Sequence, residues 1–426
     1  MLKEGGDEKG ETPDRRRRGE ASAPARRRSA QPMLDPPLSA AVPPTQSVSV
    51  PLAGGTLRVD TEHSDLPLTA LCGFASRRNP KRPFLFVSRV LGRHLPVAPA
   101  TLHDVHARLA AKLPGDLPGP VVVIGLAETA VALGQGVHAA WRERTGRDDA
   151  LFLHSTRYRL DHPLLGTFDE SHSHATEHLL YWPAGADTRA LLAEARSLVL
   201  VDDEASTGAT FVALTQACRS AMPRLQTLAC VTITDWMGAE RRAAVAGRLP
   251  VDAVFVSLLQ GRFSFAPSDA PPPIQPHVTG NGAPKDHLLP GNWGRLGLRA
   301  PPSLPPHVEA LTTRPGERIL VLGTGEFVYP PYQLARRLEA MGAEVRVQAS
   351  TRSPILPGGA IADALEFPDA YEDAIPNFLY GIQAGQYDRV LICYETPPST
   401  AQHRLIEAVS GEPVHFNPVH LQPDQA

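Results

Sequence analysis

The amino-acid sequence predicts an α/β protein with two successive domains, each built around a mostly parallel sheet. Short apolar runs rich in β-branched residues alternate with longer amphipathic stretches, which is typical of strand–helix–strand units. Hydrophobic residues make up 42% of the 426 residues, so each half of the chain can bury a core. Twelve prolines between residues 266 and 317 interrupt the alternation and separate the two predicted domains.

The expected organisation has four parts: a disordered basic tail at residues 1–45, a first domain at 46–265, a Pro-rich linker at 266–289 and a second domain at 290–420. The tail contains two arginine runs, at 15–18 and 26–28, and too few apolar residues to order itself. No aromatic residue interrupts the arginines, so a solvated tail is favoured over an RNA-binding one. Trp293 stands among glycines, which indicates that segment 291–298 packs onto a domain.

The elements follow from the positions of the apolar runs. Strands of the first domain are expected at residues 84–88, 121–124, 151–154, 197–201, 228–233 and 253–257, with helices at 128–144 and 210–221. The second domain repeats the pattern, with strands at 319–322, 344–348 and 389–393 and a helix at 331–341. This repetition predicts a second, Rossmann-like α/β domain.

Composition and charge exclude several classes of protein. The formal net charge is −3, which argues against a surface that is basic throughout and coats nucleic acid. No apolar run approaches the roughly 20 residues that cross a bilayer. The first 30 residues carry nine Lys or Arg and six Asp or Glu, unlike a secretion signal. A cytoplasmic protein is therefore expected. Four widely spaced cysteines have no spacing that suits zinc and are expected to be reduced and mostly buried.

The most specific local pattern is the segment 197–210, in which an apolar strand runs into two carboxylates and a loop of small and hydroxyl residues. Open α/β sheets bind ligands at the carboxyl ends of their strands, so Asp202 and Asp203 are expected at a binding edge. Loop hydroxyls and the N–H groups of the following helix start suit a phosphate monoester. Because carboxylates repel a bare phosphate, the pattern favours a phosphorylated sugar, with hydroxyls for the carboxylates and Mg²⁺ nearby.

This segment resembles the phosphoribosyl-pyrophosphate (PRPP) motif of type I phosphoribosyltransferases, with a hydrophobic strand, two acidic residues, two variable residues, a hydroxyl residue, Thr-Gly and a further Thr. The resemblance implies that Asp202 and Asp203 bind the ribose hydroxyls. It also implies a loop around the 5′-phosphate, made of Ala205, Ser206, Thr207, Gly208, Ala209 and Thr210.

Two upstream segments fit the same family. Segment 121–130 resembles the loop that holds pyrophosphate, with Gly125, Glu128 and Thr129 as candidate binding residues, although a plain strand-to-helix turn is the alternative. Segment 151–157 is a strand that ends in hydroxyl residues and Arg157. A guanidinium group binds phosphate through two hydrogen bonds, so Arg157 is a candidate for pyrophosphate, or else an ordinary surface arginine.

Segment 168–178 falls where the family has its mobile catalytic loop. His172 and His174 are candidate catalytic residues because imidazoles change charge near neutral pH and can stabilise departing pyrophosphate. A metal site formed by these two residues with His178 and a solvated polar loop are the alternatives. Loop cations in the family are often Lys or Arg, and this segment contains neither.

The second domain also places polar residues after its strands. Thr324, Glu326, Thr351, Arg352, Ser353 and Glu395 are expected at one sheet edge and predict a second site, unless these loops merely cap the strands. Thr351-Arg-Ser-Pro354, which follows a PRPP motif, resembles the signature of the TRSP domain. That domain follows a distinctive phosphoribosyltransferase domain in a bacterial family linked to tellurium-resistance and stress gene clusters.

The resemblance implies an enzyme that transfers phosphoribosyl from PRPP to a base-like acceptor and releases pyrophosphate, with Mg²⁺ bound through PRPP and no metal held by protein ligands alone. The expected partners are PRPP and a base-like small molecule. The sequence leaves open whether two chains form a homodimer, and it favours neither a membrane nor a nucleic acid as a partner. A non-catalytic PRPP or nucleotide sensor and a nucleotide-cleaving enzyme are the alternatives that use the same pocket.

Overall fold

The computed structural model describes residues 45–79, 82–169, 177–269 and 280–417, and there the chain forms two main sheets flanked by helices. The strands of the N-terminal half are β1 Gln46–Leu52, β2 Gly55–Ser64, β3 Cys72–Ser76, β4 Phe84–Ser88, β5 Val121–Gly125, β6 Ala150–His154, β7 Leu164–Asp169, β8 Glu177–Tyr181, β9 Ser197–Val201, β10 Glu204–Ala205, β11 Thr227–Asp235 and β12 Ala253–Pro267. Those of the C-terminal half are β13 Arg318–Gly323, β14 Glu344–Ala349, β15 Ala364–Pro368, β16 Pro376–Tyr380, β17 Arg389–Tyr394 and β18 Glu412–His415.

The helices cover the sheets with their apolar faces. They are α1 Leu68–Leu71, α2 Pro99–Lys112, α3 Ala130–Thr145, α4 Ala186–Ala193, α5 Ala209–Cys218, α6 Gly238–Ala246, α7 Pro306–Glu309, α8 Tyr329–Ala340 and α9 Thr400–Val409, and a 3₁₀ turn, Arg219–Ala221, follows α5. Among the described residues, none of these helices combines the length and the apolar composition that a membrane span requires.

The first sheet has the strand order β1-β2-β12-β11-β9-β5-β6. Strands β12, β11, β9, β5 and β6 pair in parallel, while β1 and β2 extend the edge in antiparallel fashion. Strands β5, β6 and β9 are buried along their whole length, as expected for a parallel sheet covered on both faces. Gly125 is in register with both His154 and Val201, so the segments that follow these three strands start side by side.

The second sheet consists of four parallel strands in the order β14-β13-β17-β18. Its buried apolar residues pack with α8 and α9 into clusters that include Val321, Leu334, Ile392 and Leu405. The predicted α/β class with mostly parallel sheets is therefore confirmed. Each predicted strand and helix has a counterpart within a few residues, except that β12 runs on to Pro267 and α5 ends early, at Cys218.

Backbone hydrogen bonds join the C-terminal half to the N-terminal half at several places. The N–H of Phe152 in β6 donates to the carbonyl of Leu298 at 2.8 Å, so the tryptophan-containing segment packs on the sheet edge. Val97 pairs with Val347 of β14, and Arg77 forms an isolated bridge with Ile355. As a result, the segment that follows β14 lies near the carboxyl ends of the first sheet's strands.

Candidate functional site

A cleft of about 190 Å³ opens at the carboxyl ends of the first sheet's strands. Four groups of residues line most of it: the loop that follows β5, the acidic doublet with the loop that follows β9, Arg157, and three residues that follow β14. Of the predicted site residues, the cleft is lined by Glu128, Thr129, Arg157, Asp202, Asp203, Ala205, Ser206, Thr207, Gly208, Ala209, Thr210, Thr351, Arg352 and Ser353. Residues from both predicted domains therefore form one cleft.

The acidic doublet follows β9 and stays hydrogen-bonded to β11. Asp202 donates its N–H to the carbonyl of Val231 at 2.9 Å, and the carbonyl of Asp203 accepts from Ile233 at 3.1 Å. This pairing holds the doublet against the sheet. The Asp203 carboxylate accepts a hydrogen bond of 2.8 Å from the Thr129 hydroxyl, which links the doublet to the loop after β5.

The loop between the doublet and α5 turns sharply at Gly208, whose φ is 69°. A Cβ atom there would lie 2.7 Å from Val245 and 2.8 Å from the sulfur of Met237, so both the backbone conformation and the surroundings favour glycine. The Thr207 hydroxyl accepts from the N–H of Ala209 at 3.3 Å. Thr207 is partly exposed and lines the same cleft as Asp202 and Asp203, so the hydroxyl-lined turn is open to a ligand.

The loop after β5 depends on close contact between strand and helix. Gly125 does not line the cleft but lies behind the loop, where an added Cβ would come within 2.5 Å of the Ala130 carbonyl oxygen. The N–H of Ala127 donates to the Ser155 hydroxyl at 3.0 Å, and that hydroxyl also bonds Nδ1 of His178 at 2.9 Å. Contacts with β5 and with the segment after β6 therefore hold this loop in place.

Arg157 lies at the end of that segment and is held by both halves of the chain. Its N–H donates to Glu326 at 2.7 Å, and its Nη1 donates to the Glu177 carbonyl at 2.9 Å. Its Nη2 lies 3.5 Å from the Ala127 carbonyl. These contacts place a guanidinium group beside the loop after β5.

Glu128 forms a buried ion cluster with two arginines. Its carboxylate pairs with Nε of Arg352 and lies 4.0 Å from Nη1 of Arg93. Burial raises the pKa of Glu128, but the cations of Arg352 and Arg93 outweigh burial and bring it down to about 2. Glu128 is therefore ionised at neutral pH, and the three charges sum to +1 at the wall of the cleft.

The residues predicted as a second site are divided by the structure. Thr351, Arg352 and Ser353 line the main cleft, whereas Glu326 and Glu395 are fully buried and share Arg295. Burial alone would lower the pKa of Arg295, but the two carboxylates raise it. The Thr324 hydroxyl donates to the Cys393 carbonyl at 3.0 Å, beside a cavity of about 10 Å³, which is room for about one water.

The predicted histidine loop is only partly described. His172 and His174 lie outside the described residues. His178 is on β8, where it is buried against the ring of Phe168 at 4.5 Å and bonds Ser155. No group of three or more His, Cys, Asp or Glu side chains that could hold a metal ion occurs among the residues that the structure describes.

Two arginines near the site, Arg82 and Arg93, come from the basic segments 77–84 and 87–94, which the sequence offers either as the lining of an anionic substrate's pocket or as ordinary surface. Arg93 donates to the carbonyls of Gly325 at 2.7 Å and Ser350 at 2.5 Å, and it also bonds the Glu128 carbonyl. Arg82 pairs with Glu204, the residue after the doublet, whose pKa is raised by burial in spite of this partner. The clustered arginines near the first strand were the signal for both, although their charge pattern is equally common on solvated surfaces.

The family comparisons match both halves of the chain. Residues 71–262 match the family described as "Phosphoribosyl transferase", and residues 299–409 match the family described as "TRSP domain C terminus to PRTase_2". None of the curated proteins matches the chain.

Among solved structures, the chain is similar to an adenine phosphoribosyltransferase of Giardia lamblia complexed with 9-deazaadenine, at 21% identity over 38% of this chain and 80% of that one, with a TM-score of 0.28. The enzyme of Rhodothermus marinus shows 16% identity over 45% of this chain and 98% of that one, with a TM-score of 0.29. That of Trypanosoma brucei, in complex with AMP, pyrophosphate and ribose-5-phosphate, shows 13% identity over 46% and 82%, with a TM-score of 0.32.

The assignment rests on the two family matches, which occur in the order that the sequence motifs predict. The chain combines a domain of the phosphoribosyltransferase family with a C-terminal TRSP domain.

Proposed function

We propose that this phosphoribosyltransferase uses PRPP as donor, transfers its phosphoribosyl group to a nitrogen of a base-like acceptor and releases pyrophosphate, as a step in making a nucleotide-like metabolite. The observation that carries the proposal is that Asp202 and Asp203 line one cleft together with the hydroxyl-lined turn at Thr207. Such a cleft offers acceptors for the ribose hydroxyls and donors for the 5′-phosphate.

In the proposed reaction, the bond between C1 of the ribose and the pyrophosphate oxygen breaks, and its electron pair leaves with pyrophosphate. A lone pair of the acceptor nitrogen forms the new bond to C1, and the nitrogen gives up a proton. The transition state resembles an oxocarbenium ion, so the protein has to hold the sugar in place and stabilise the departing negative charge.

Each part of the cleft would have a separate task. The Asp202 and Asp203 carboxylates would accept hydrogen bonds from the ribose hydroxyls, and Thr129, which donates to Asp203 at 2.8 Å, would keep the second carboxylate in position. The turn at residues 205–210 and the start of α5 would donate to the 5′-phosphate. Arg157 would lie beside the pyrophosphate group.

Mg²⁺ fits this cleft as an ion bound mainly through the substrate. The two cleft carboxylates, Asp202 and Asp203, lie where a substrate would bring its own oxygens. Mg²⁺ prefers few protein carboxylates together with substrate phosphates. When bound, it would neutralise part of the pyrophosphate charge.

The proposal is tested by isothermal titration of PRPP in the presence of Mg²⁺. The double variant Asp202→Asn with Asp203→Asn should lower the affinity roughly a hundredfold, because hydrogen bonds to two charged acceptors are weakened. Asp104→Asn, which alters an exposed ion pair on α2, is the matched control and should bind like the wild type. Equal affinity in the double variant and the wild type would refute the site.

Turnover is then measured as pyrophosphate release with a panel of nitrogenous bases. Release that depends on PRPP and on one class of base identifies the acceptor. Tight PRPP binding without release for any base would instead favour a non-catalytic PRPP sensor.

A further inference from the structure

The segment Thr351 to Pro354 does not form a site of its own but reaches the cleft of the N-terminal half. Thr351, Arg352 and Ser353 all line this cleft, opposite the loops that carry the predicted PRPP motif. Two polar atoms of the segment are buried and have no hydrogen-bond partner among the described residues, namely Nη2 of Arg352 and Oγ of Ser353. A buried donor without a partner is costly to a fold, so both atoms would gain from a ligand oxygen.

Arg352 is rigidly held although one of its nitrogens is unpaired. Its Nε pairs with Glu128, and its guanidinium carbon lies 5.6 Å from the centre of the Tyr158 ring. Arg93 fixes the start of the same segment by donating to the Ser350 carbonyl at 2.5 Å. A guanidinium group that is held at Nε and against a ring leaves its remaining N–H donors directed by the protein, ready for an oxyanion.

Ser353 is equally well positioned by its backbone. Its N–H donates to the Thr351 hydroxyl at 3.2 Å, and its carbonyl accepts from the Tyr380 hydroxyl at 2.6 Å. None of these contacts uses the Ser353 hydroxyl, which can therefore rotate towards a ligand without a loss of protein contacts.

The position of Arg352 indicates which part of a substrate it would meet. Its partner Glu128 precedes Thr129 in the loop after β5, and Arg157 approaches the Ala127 carbonyl of the same loop at 3.5 Å. Two guanidinium groups thus flank the loop that resembles a pyrophosphate-binding loop. Two such cations and a row of hydroxyls suit a group with several anionic oxygens.

The composition of the expected catalytic loop also favours a role for Arg352 at the leaving group. Segment 168–178 contains three histidines but neither Lys nor Arg. Any guanidinium or ammonium group that assists the leaving group would therefore come from another segment. Arg352 has its charge maintained by Glu128 and lies at the cleft wall, so it can supply that cation.

We infer that Arg352 and Ser353 of the C-terminal TRSP segment bind the diphosphate group of PRPP, so that the two halves of the chain together form the pyrophosphate subsite. The inference rests on the proposed function, since it takes PRPP to be the donor. It assigns a ligand-binding task to a segment that would otherwise belong to a separate domain with a site of its own.

The test compares three ligands by isothermal titration on the full chain with Mg²⁺: PRPP, inorganic pyrophosphate and ribose 5-phosphate. Arg352→Lys keeps the charge next to Glu128 but loses the forked donor, and Ser353→Ala removes a hydroxyl that has no described protein partner. Loss of one charge-assisted hydrogen bond should lower the affinity for PRPP and for pyrophosphate roughly tenfold in either variant. The affinity for ribose 5-phosphate should not change. Arg318→Lys, at the exposed pair with Asp388, and Ser303→Ala, at an exposed loop position, are the controls.

The outcomes separate this inference from the proposed function. A loss of affinity in either variant that is confined to pyrophosphate and PRPP supports the inference. Unchanged pyrophosphate affinity in both variants overturns it, and so does an equal loss for ribose 5-phosphate, which would indicate a distorted cleft. A wild type that binds none of the three ligands rejects the proposed function itself, and the inference with it.

Discussion

Gly208 starts α5 in the left-handed region of backbone space, and its neighbours leave no room for a side chain. Thr207 and Ala209 on either side both line the cleft. The requirement is local and steric, so the Thr-Gly pair was readable from the sequence. The contacts that would crowd a larger residue come from Val245 of α6 and from Met237, far along the chain.

Gly208→Ala should destabilise the protein by about 2–4 kcal/mol, since it combines the cost of a positive φ with overpacking against Val245. Gly146→Ala is the matched control, because Gly146 has the same φ of 69° but nothing within 4 Å of an added Cβ. That control should lose only the backbone contribution, about 1–2 kcal/mol. Urea unfolding measures both, and equal losses would show that the contacts around Gly208 are unimportant.

At the scale of elements, the cleft is built from segments that follow β5, β6, β9 and β14. The first three start at the same level because Gly125 is in register with His154 and Val201. The fourth belongs to the other sheet and arrives through the pairing of Val347 with Val97. The ion cluster of Glu128 with Arg93 and Arg352 then joins the loop after β5 to the segment after β14.

This cluster predicts a pH dependence of stability. The pKa of Glu128 is lowered from its ordinary value of 4.5 to about 2, so its contribution to the free energy of unfolding is fully present above pH 4.5. As the pH falls from 4.5 through 2, the native carboxylate must take up a proton and the contribution is lost. Glu128→Gln should be less stable at pH 7 and should lose less stability over that acid range.

Chemical unfolding at a series of pH values measures this difference. If the free energy of unfolding fell equally with pH in the wild type and in Glu128→Gln between pH 4.5 and 2, the prediction would be contradicted. The salt concentration is kept constant throughout, because screening changes every charge pair on the surface at the same time.

At the scale of the whole molecule, a second buried ion cluster links the two halves. Arg295 contacts Glu395 at 2.6 Å and Glu326 at 3.2 Å, and Glu326 also accepts from the Thr156 hydroxyl at 2.6 Å. Thr156 belongs to the first sheet's loops, whereas Glu326 and Glu395 follow strands of the second sheet. Two carboxylates that looked like site residues in the sequence are therefore part of the connection between the sheets.

Arg295→Met should destabilise the protein by about 3–5 kcal/mol, because it leaves two buried carboxylates without their cation. Arg318→Met breaks an exposed pair with Asp388 and should cost less than about 1 kcal/mol. Urea unfolding of both variants tests the contrast. A cost for Arg295→Met as small as that for Arg318→Met would mean that the cluster contributes little to stability.

The predicted domain limits, with a linker at 266–289 between domains at 46–265 and 290–420, stay a proposal. Residues 294–298 pair with β6, and Arg77 pairs with Ile355, so the described parts of both halves share backbone contacts. We expect that residues 290–420 expressed alone would expose the surfaces that these contacts cover, which hydrogen exchange of the fragment and the full chain would reveal.

The sequence by itself determined the α/β class, the positions of the principal strands and the acidic doublet with its hydroxyl-lined loop, since each of these depends on periodicity or on chemistry between near neighbours in the chain. It could not assign tasks to Glu326, Glu395 and Arg352, because a polar residue after a strand looks the same whether it faces a ligand or an ion-pair partner. Only the tertiary structure shows that all three have ion-pair partners, Arg295 for the two glutamates and Glu128 for Arg352, and that Arg352 also lines the cleft. The packing of the two sheets buries the two glutamates around Arg295 and carries Arg352 to the cleft. Arg295 and Glu395 lie 100 positions apart in the chain, and Arg352 and Glu128 lie 224 positions apart.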